Sequence, residues 1–247
     1  MADERPIAAV GERHGREAAH GAAVRAMFDR IAPTYDLLNR VLSAGLDTRW
    51  RARAVGEIAR APAGEVLDLC AGTLDLAAAI ERAHPSRHIV AVDFAADMLT
   101  RGAGKVQRTE VVVGDAMALP FEDGRFSAVI CGFGLRNLSD TRKGIAEAIR
   151  VLGPGGRLIV LEFFRPDRGP RAAMTRAFHG GFAKVVLPLA GKVVANDGDA
   201  YGYLARSMAS FLTRSELELV LRDAGMQGVH GEDLTLGVAS IVVGSKP

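Results

Sequence analysis

The strongest constraint on this chain is a repeating alternation of short apolar runs with helix-length segments. Five runs stand out: Glu65–Leu69, His88–Asp93, Glu110–Gly114, Phe126–Cys131 and Arg157–Glu162. Their apolar character is nearly continuous, so each needs cover on both faces, which is the condition of parallel strands. The stretches Leu74–Ala83, Ala95–Lys105 and Asp140–Leu152 have the length and patterning of covering helices. Right-handed crossovers follow. Gly153-Pro-Gly-Gly156 reads as a tight structural turn before the fifth run. The end of the chain departs from this rhythm. Thr213–Ala224 reads as a helix, with Thr213 and Glu216 as a capping pair and Gly225 as its stop. Gly228–Leu234 and Val238–Gly244 then read as two strands joined by a short turn.

Composition narrows the function classes. The chain has 247 residues, 49% hydrophobic and 24% charged, with a formal net charge of +2. This is globular composition, and without a basic run it gives no support for nucleic-acid binding. Cys70 and Cys131 cannot make a disulfide scaffold and are expected as reduced thiols in a reducing, cytoplasmic compartment. Neither has a metal-ligand partner set, so no metal is expected. Residues 1–23 mix charges with Ala and Gly and read as a flexible tail, not a secretory signal. The most apolar later stretch, Phe178–Ala195, is interrupted by Lys184, Pro188, Gly191 and Lys192. It falls short of the roughly 20 apolar residues of a spanning helix, but allows an amphipathic surface.

The chemistry is expected where strands end, since parallel sheets present ligands at their carboxyl edge. The first run leads into Asp68-Leu-Cys-Ala-Gly72-Thr73-Leu74-Asp75. Gly72 permits a close backbone turn, and the helix beyond offers free N–H groups. The second run ends in Asp93-Phe94, where an acidic side chain can accept both ribose hydroxyls. These features fit any nucleoside-binding Rossmann-like domain. They fit equally a plain strand–helix turn with a helix-capping Asp. Asp115, after the third run, can accept from an adenine amine, with the backbone of Ala116 alongside.

Longer blocks are more specific. They are Phe28-Asp-Arg-Ile-Ala-Pro-Thr-Tyr35-Asp36-Leu-Leu-Asn39, Ser43-Ala-Gly-Leu46 with Trp50, Ala118-Leu-Pro-Phe121, and Phe133-Gly-Leu-Arg136-Asn137. Arg150-Val-Leu-Gly-Pro-Gly-Gly-Arg157, Leu161-Glu162-Phe163, Leu187-Pro-Leu-Ala-Gly-Lys192, Asn196-Asp197 and Tyr201-Gly-Tyr-Leu204 follow. Together they resemble the UbiE/MenG/COQ5 family of class I S-adenosylmethionine-dependent methyltransferases, which C-methylate polyprenyl quinols in menaquinone and ubiquinone synthesis. The likeness runs from about Val24 to Gly244. It implies an α/β, Rossmann-like fold: a mostly parallel seven-stranded sheet with an antiparallel C-terminal strand and helices on both faces. It also implies one methyltransferase domain over 24–247, with an N-terminal helical cap at 24–60 and a substrate lid insert at 165–208.

The resemblance assigns cofactor binding to Asp68, Gly72, Thr73, Asp93, Phe94, Asp115, Ala116 and Gly132. Arg136, Asn137 and Tyr35 fall to catalysis, and Asp36 to the cap. Arg136 would stabilise a ring phenolate or orient a water, since its own pKa is too high for a base. An Arg paired structurally with a neighbouring carboxylate fits the same position, and Glu162 would be that partner. His179 is a candidate base on the lid; Phe178, Phe182, Val185, Val186 and Leu187 would line an isoprenoid path or simply a helix core. The chain also departs from the family pattern. Leu74 stands where a Gly is usual, putting a side chain near the methionine end of the cofactor. Cys70 stands where methyltransferases in general carry Gly, and Asp47, Gly132 and Gly153 replace the family's usual His, Ser or Ala, and Lys. The implied partners are a polyprenyl quinol and, transiently, a membrane surface at its inner face, with a homodimer allowed. Other phenolic or lipidic acceptors, and a noncatalytic cofactor-binding role, share these features. A nicotinamide oxidoreductase does not, because only Gly72 remains of its glycine fingerprint.

Overall fold

The computed structural model describes residues 24–30, 35–167, 203 and 206–247. Seven strands form one sheet in the order β3-β2-β1-β4-β5-β7-β6. They are β1 (Glu65–Leu69), β2 (Ile89–Asp93), β3 (Glu110–Val113), β4 (Phe126–Gly132), β5 (Leu152–Glu162), β6 (Gln227–Leu234) and β7 (Ala239–Ser245). The first five pair in parallel, while β7 runs antiparallel to both β5 and β6. This is the expected Rossmann-like architecture. The order reverses between β1 and β4, so the loops leaving these neighbours diverge and open a cleft at the carboxyl edge.

Helices cover both faces. Here α1 is Tyr35–Leu42, α2 Asp47–Gly56, α3 Asp75–Ala83, α4 Ala96–Gly102, α5 Thr141–Val151 and α6 Arg214–Asp223. On one face Trp50, Val55 and Ile58 join Leu76, Ile80 and Leu99 over Val66, Ile130 and Ile159. On the other Ile145, Val151, Leu217 and Leu221 cover Leu67, Val129 and Leu158. The two-residue period of β1 therefore sends Val66 and Asp68 to the α2–α3 face, and Leu67 and Leu69 to the other. Within the region read as an N-terminal cap, α2 is thus part of a sheet-covering layer. The tail at 1–23 and nearly all of the expected lid at 165–208 lie outside the described residues.

Local chemistry sets the element ends. Asp140 accepts from the Lys143 backbone N–H, capping α5. Thr213 and Glu216 complete a reciprocal capping box on α6, and Gly225 follows it at φ +83°. Gly153–Gly156 departs from the tight-turn expectation: β5 already begins at Leu152. Its pairing with β4 shifts register there, from Phe126↔Leu152 to Ala128↔Arg157. A hydrogen bond from the Gly155 N–H to the Lys246 carbonyl ties the bulged segment to the end of the chain.

Leu74 also differs from expectation. It sits at the N-cap of α3 in the left-handed region, φ 62°, and is fully buried. Its side chain belongs to the core on the α2–α3 face, against Gly102 of α4, and not to the cofactor cleft. The backbone need for a positive φ explains why Gly suits this position. Leu meets it because burial of its side chain offsets a local strain of order 1–3 kcal/mol. Gly102 is the counterpart of this packing, because a Cβ there would overlap the Thr73 carbonyl group. Gly102→Ala is expected to destabilise the fold by about 1–3 kcal/mol through displacement of the 72–74 turn, measurable as a lower urea midpoint.

Candidate active site

Three loops meet above the β1–β4 reversal: 70–74 after β1, 93–95 after β2 and 132–137 after β4. The first is sharply folded. Cys70 adopts φ 58° and Gly72 φ 53°, and Gly134 of the third loop packs directly on the Cys70 and Cys131 side chains. A side chain at Gly134 would wedge the two loops apart. The Cys131 thiol beside it, together with burial, pushes the Cys70 thiol well above its usual range. Both cysteines are free, as the sequence suggested.

Asp93 cross-links the first two loops. Its Oδ2 accepts from the Gly72 backbone N–H at 2.9 Å and its Oδ1 from that of Ala95 at 2.8 Å. Burial nevertheless raises its pKa. The carboxylate is therefore held rigidly at the end of β2 with lone pairs to spare. Met98 lies beneath Gly72, and Phe94, Tyr35 and Phe28 pack around Met98 and Ala95. Tyr35 meets Phe28 edge to face, centroids 6.0 Å apart. The structure thus brings Tyr35 to the wall shared by Gly72 and Phe94. Asp115 is exposed after β3; its Oδ1 accepts from the Met117 N–H at 2.8 Å, while Ala116 is buried beside it.

The cap helix α1 is tied to the first loop by charge. Asp36 accepts from the Thr73 hydroxyl at 2.6 Å and from Lys105 Nζ at 2.5 Å, and Lys105 also reaches Asp75 at 2.7 Å. Burial alone would raise the Asp36 pKa, but these hydrogen bonds and the Lys105 charge hold it below the usual value. Thr73 is thereby fixed with its hydroxyl engaged.

The third loop carries a buried ion pair. Arg136 Nη1 donates to Glu162 Oε1 at 2.5 Å and to the Phe133 carbonyl at 2.7 Å. Glu162 is fully buried and also accepts from the Phe163 N–H at 2.8 Å. Desolvation raises its pKa in spite of Arg136. Glu162 is thus the partner that sequence reasoning named. Arg136 Nε finds no hydrogen-bond partner among the described residues, and its guanidinium lies 5.6 Å from the Phe163 ring centroid. Asn137 donates to the Phe133 carbonyl at 3.3 Å and accepts from the Tyr203 hydroxyl at 3.2 Å. Tyr203 was not singled out in the sequence as a site residue; its only sign was the Tyr201–Leu204 block. His179, Phe178, Phe182, Val185, Val186 and Leu187 lie outside the described residues.

Asp68 offers a direct test of whether this cleft suits a nucleoside carrying an amino-acid end. It is fully buried, and neither carboxylate oxygen has a hydrogen-bond partner among the described residues. Burial drives its pKa to about 8, against the opposing charge of Arg51. An orphaned acid at a strand end is what a cationic ligand group would complete. Gly132, at the end of β4, lets Leu76 pack close, its side chain 3.2 Å from where a Cβ would stand. The residues present therefore fit such a cofactor.

Fold and site together define a Rossmann-like methyltransferase of class I, whose methyl donor is S-adenosylmethionine. A family model described as the ubiE/COQ5 methyltransferase family matches residues 16–246. The chain belongs to that family. It is 42% identical over 225 residues to a demethylmenaquinone methyltransferase of Thermus thermophilus, covering 90% of this chain and 100% of that protein. A ubiquinone/menaquinone biosynthesis C-methyltransferase UbiE of Syntrophotalea carbinolica is 39% identical, covering 92% and 95%. Among solved structures, a SAM-dependent methyltransferase from Thermotoga maritima superposes with a TM-score of 0.64 at 20% identity, covering 90% of this chain and 99% of that one. The last likeness concerns the fold alone.

The Asp68 pKa has a consequence for the ligand-free protein. The folded value lies above the ordinary 3.8, so the folded state holds the extra proton between these pH values. The associated stability is full below about pH 4 and is lost as pH rises through about 8. Asp68→Asn should therefore be more stable than the parent at pH 8, with the gap shrinking toward pH 4. Thermal melts across that range check this.

Proposed function

We propose that this protein transfers the methyl group of S-adenosylmethionine to a ring carbon of a polyprenyl quinol, most simply demethylmenaquinol to menaquinol. What carries the reading is the pairing of a rigid nucleoside edge (Asp93 fixed to Gly72) with a buried Arg136–Glu162 pair on the opposite loop. Family membership and the relatives named above support the choice of acceptor.

The bound cofactor supplies an electrophilic methyl on a sulfonium. The chain's own residues do the rest. Asp93 accepts the ribose hydroxyls, and Phe94 and Met98 form an apolar wall for the adenosine. Asp115 and the Ala116 backbone hold the adenine edge, and Gly72, Thr73 and Gly132 let the ligand lie against backbone. A neutral quinol carbon is a modest nucleophile, so a ring hydroxyl releases its proton to water, and after methylation the hydrogen on the methylated carbon is lost and restores that hydroxyl. Arg136 stabilises the phenolate oxygen; Glu162 fixes the guanidinium and keeps its charge from dominating the site. Asn137, held by the Phe133 carbonyl and Tyr203, orients the same loop. Tyr35 closes the cleft from the cap. Alignment of carbon, methyl and sulfur is worth several kcal/mol of the barrier, up to about 7–11 in favourable cases.

The polyprenyl tail is a membrane lipid by its chemistry. The enzyme therefore meets its acceptor transiently at a membrane surface on the cytoplasmic side. No described helix is long and apolar enough to cross a membrane.

The direct test is incubation of purified protein with labelled S-adenosylmethionine and reduced short-chain acceptors of both ring types. Methylation of the naphthoquinol is expected; no transfer to either ring would refute the reading. Two variants assign the sides of the cleft. Asp93→Ala should weaken S-adenosylhomocysteine binding about tenfold or more, the loss of one or two charge-assisted hydrogen bonds. Unchanged affinity would remove Asp93 from the ribose. Arg136→Ala would leave Glu162 buried and unpaired, at a cost of about 3–5 kcal/mol. The double substitution Arg136→Met with Glu162→Gln avoids that. It should lower kcat while cofactor affinity holds, and a normal rate would refute the Arg136 role.

A further inference from the structure

Two nucleophilic side chains that the methyl transfer does not use, Cys70 and Cys131, stand together as free thiols. Cys131 lies on β4 and is 1% exposed, while Cys70 follows β1 and is only partly buried. The two strands are hydrogen-bonded neighbours, and their register places Leu69 opposite Cys131. Cys70 is therefore one residue beyond the partner of Cys131. Strict alternation along β1 would send its side chain to the face opposite Leu69. The left-handed backbone at Cys70, φ 58°, breaks that alternation. Its side chain joins the cluster that contains Leu69, Cys131 and Leu135, on the face covered by α5 and α6 and away from α2.

The two sulfurs converge on one point. A Cβ built on Gly134 would lie 3.0 Å from Cys131 Sγ and 3.1 Å from Cys70 Sγ. The separation of the sulfurs cannot exceed the sum of these distances. Neighbouring strands lie about 4.7–4.9 Å apart, and a disulfide joins Cα atoms about 4.4–6.8 Å apart, so the two backbones need little movement to be bridged. The Cys131 thiol and burial push the Cys70 thiol well above its usual range, and Asp93 and Asp68 act in the same direction. Little thiolate therefore exists at neutral pH, and the pair reacts slowly. It responds to sustained oxidation and ignores brief exposure.

We propose that Cys70 and Cys131 form a reversible disulfide under a hydroperoxide oxidant, and that this bond weakens binding of the methyl donor. Cys70, the more accessible sulfur, loses its proton to water and attacks a peroxide oxygen. The O–O bond breaks, leaving a sulfenic acid on Cys70 and releasing water or an alcohol. Cys131 then attacks the sulfenic sulfur, whose hydroxyl leaves as water with the Cys131 proton. The thiols give up two electrons and the peroxide takes them, so hydrogen peroxide and a thiol pair yield one disulfide and two waters. Closing the sulfurs to bonding distance displaces the turn at 70–74. That turn carries Gly72, whose N–H holds Asp93 at 2.9 Å. The effect on the donor rests on the cleft holding S-adenosylmethionine; formation of the bond does not. The acceptor in that reading is a reduced ring, so sustained oxidation removes acceptor and donor affinity together.

Mass spectrometry of the full chain tests the bond. The protein is treated with hydrogen peroxide, denatured and alkylated with iodoacetamide. The expected product takes no alkyl group and yields a peptide pair joining Cys70 to Cys131, and dithiothreitol restores both thiols. Oxidation that leaves the two unlinked, as sulfinic or sulfonic acids or as bridges between molecules, would overturn the proposal. Calorimetric titration with S-adenosylhomocysteine tests the consequence. Affinity should fall about tenfold or more on oxidation and return with dithiothreitol. A disulfide that forms with no change in affinity would overturn the switch. Cys131→Ala should keep the affinity of the reduced protein and lose the reversible response; the same reversible response in this variant would overturn the assignment. If Cys131→Ala does not fold, Cys70→Gly, which suits the positive φ, takes its place. Failure of the reduced parent protein to bind S-adenosylhomocysteine would overturn the cofactor reading and the switch with it, while the mass measurement alone decides the disulfide.

Discussion

The divergence of the chain at the ends of β1 and β4 is the constraint from which the rest of the site follows. Two neighbouring parallel strands send their next segments in opposite directions, and the gap between them cannot be closed by either. The protein tightens its base instead of filling it. Cys70 turns back at positive φ, and Gly134 packs on both cysteine side chains. Small residues are needed because any larger group would separate the loops and move Gly72 and Arg136 together. Cysteine here works through its small size.

Charge is distributed over this frame in two ways. Arg136 with Glu162, and Asp36 with Thr73 and Lys105, are satisfied sets that fix loops and the cap helix. Both oxygens of Asp68 lack a hydrogen-bond partner among the described residues, Arg51 keeps only a loose ion pair with Asp47, and Asp93 is half-engaged by backbone donors. Satisfied pairs hold geometry, because removing either partner strands the other. Unsatisfied groups cost stability in the empty protein, and that cost falls when a ligand supplies the missing partner.

Much of the frame could be read from residue pattern. Strand ends at Leu69 and Asp93 and the Thr213–Glu216 cap were visible because apolar runs and caps are local signals. Positions that depend on distant packing were not. Gly153–Gly156 reads as a turn in isolation, yet pairing with β4 absorbs it as an irregularity of β5. Leu74 reads as an intrusion into the cleft, but its left-handed backbone turns the side chain into the core under Gly102. Arg51 gave no signal, since an arginine on an amphipathic helix is ordinarily solvated. Only the tertiary structure brings it over Phe133 and beside Gly132. Tyr203 was equally silent, because its bond to Asn137 spans 66 residues.

The same charge pattern bears on turnover. In the proposed reaction the donor enters as a sulfonium cation and leaves as a neutral thioether. Asp36, Asp47, Asp75 and Asp93 stand on the donor side, against Arg51 and Lys105 there, while Asp68 holds its proton up to about pH 8. Arg136 is offset by Glu162 across the cleft. A site with this acidic excess attracts the sulfonium more than the thioether, in a buried setting where the difference is weakly screened. The pair of stacked rings Phe133 and Phe163, 4.5 Å apart, stands between Arg51 and Arg136. Each guanidinium is drawn to the ring it lies over.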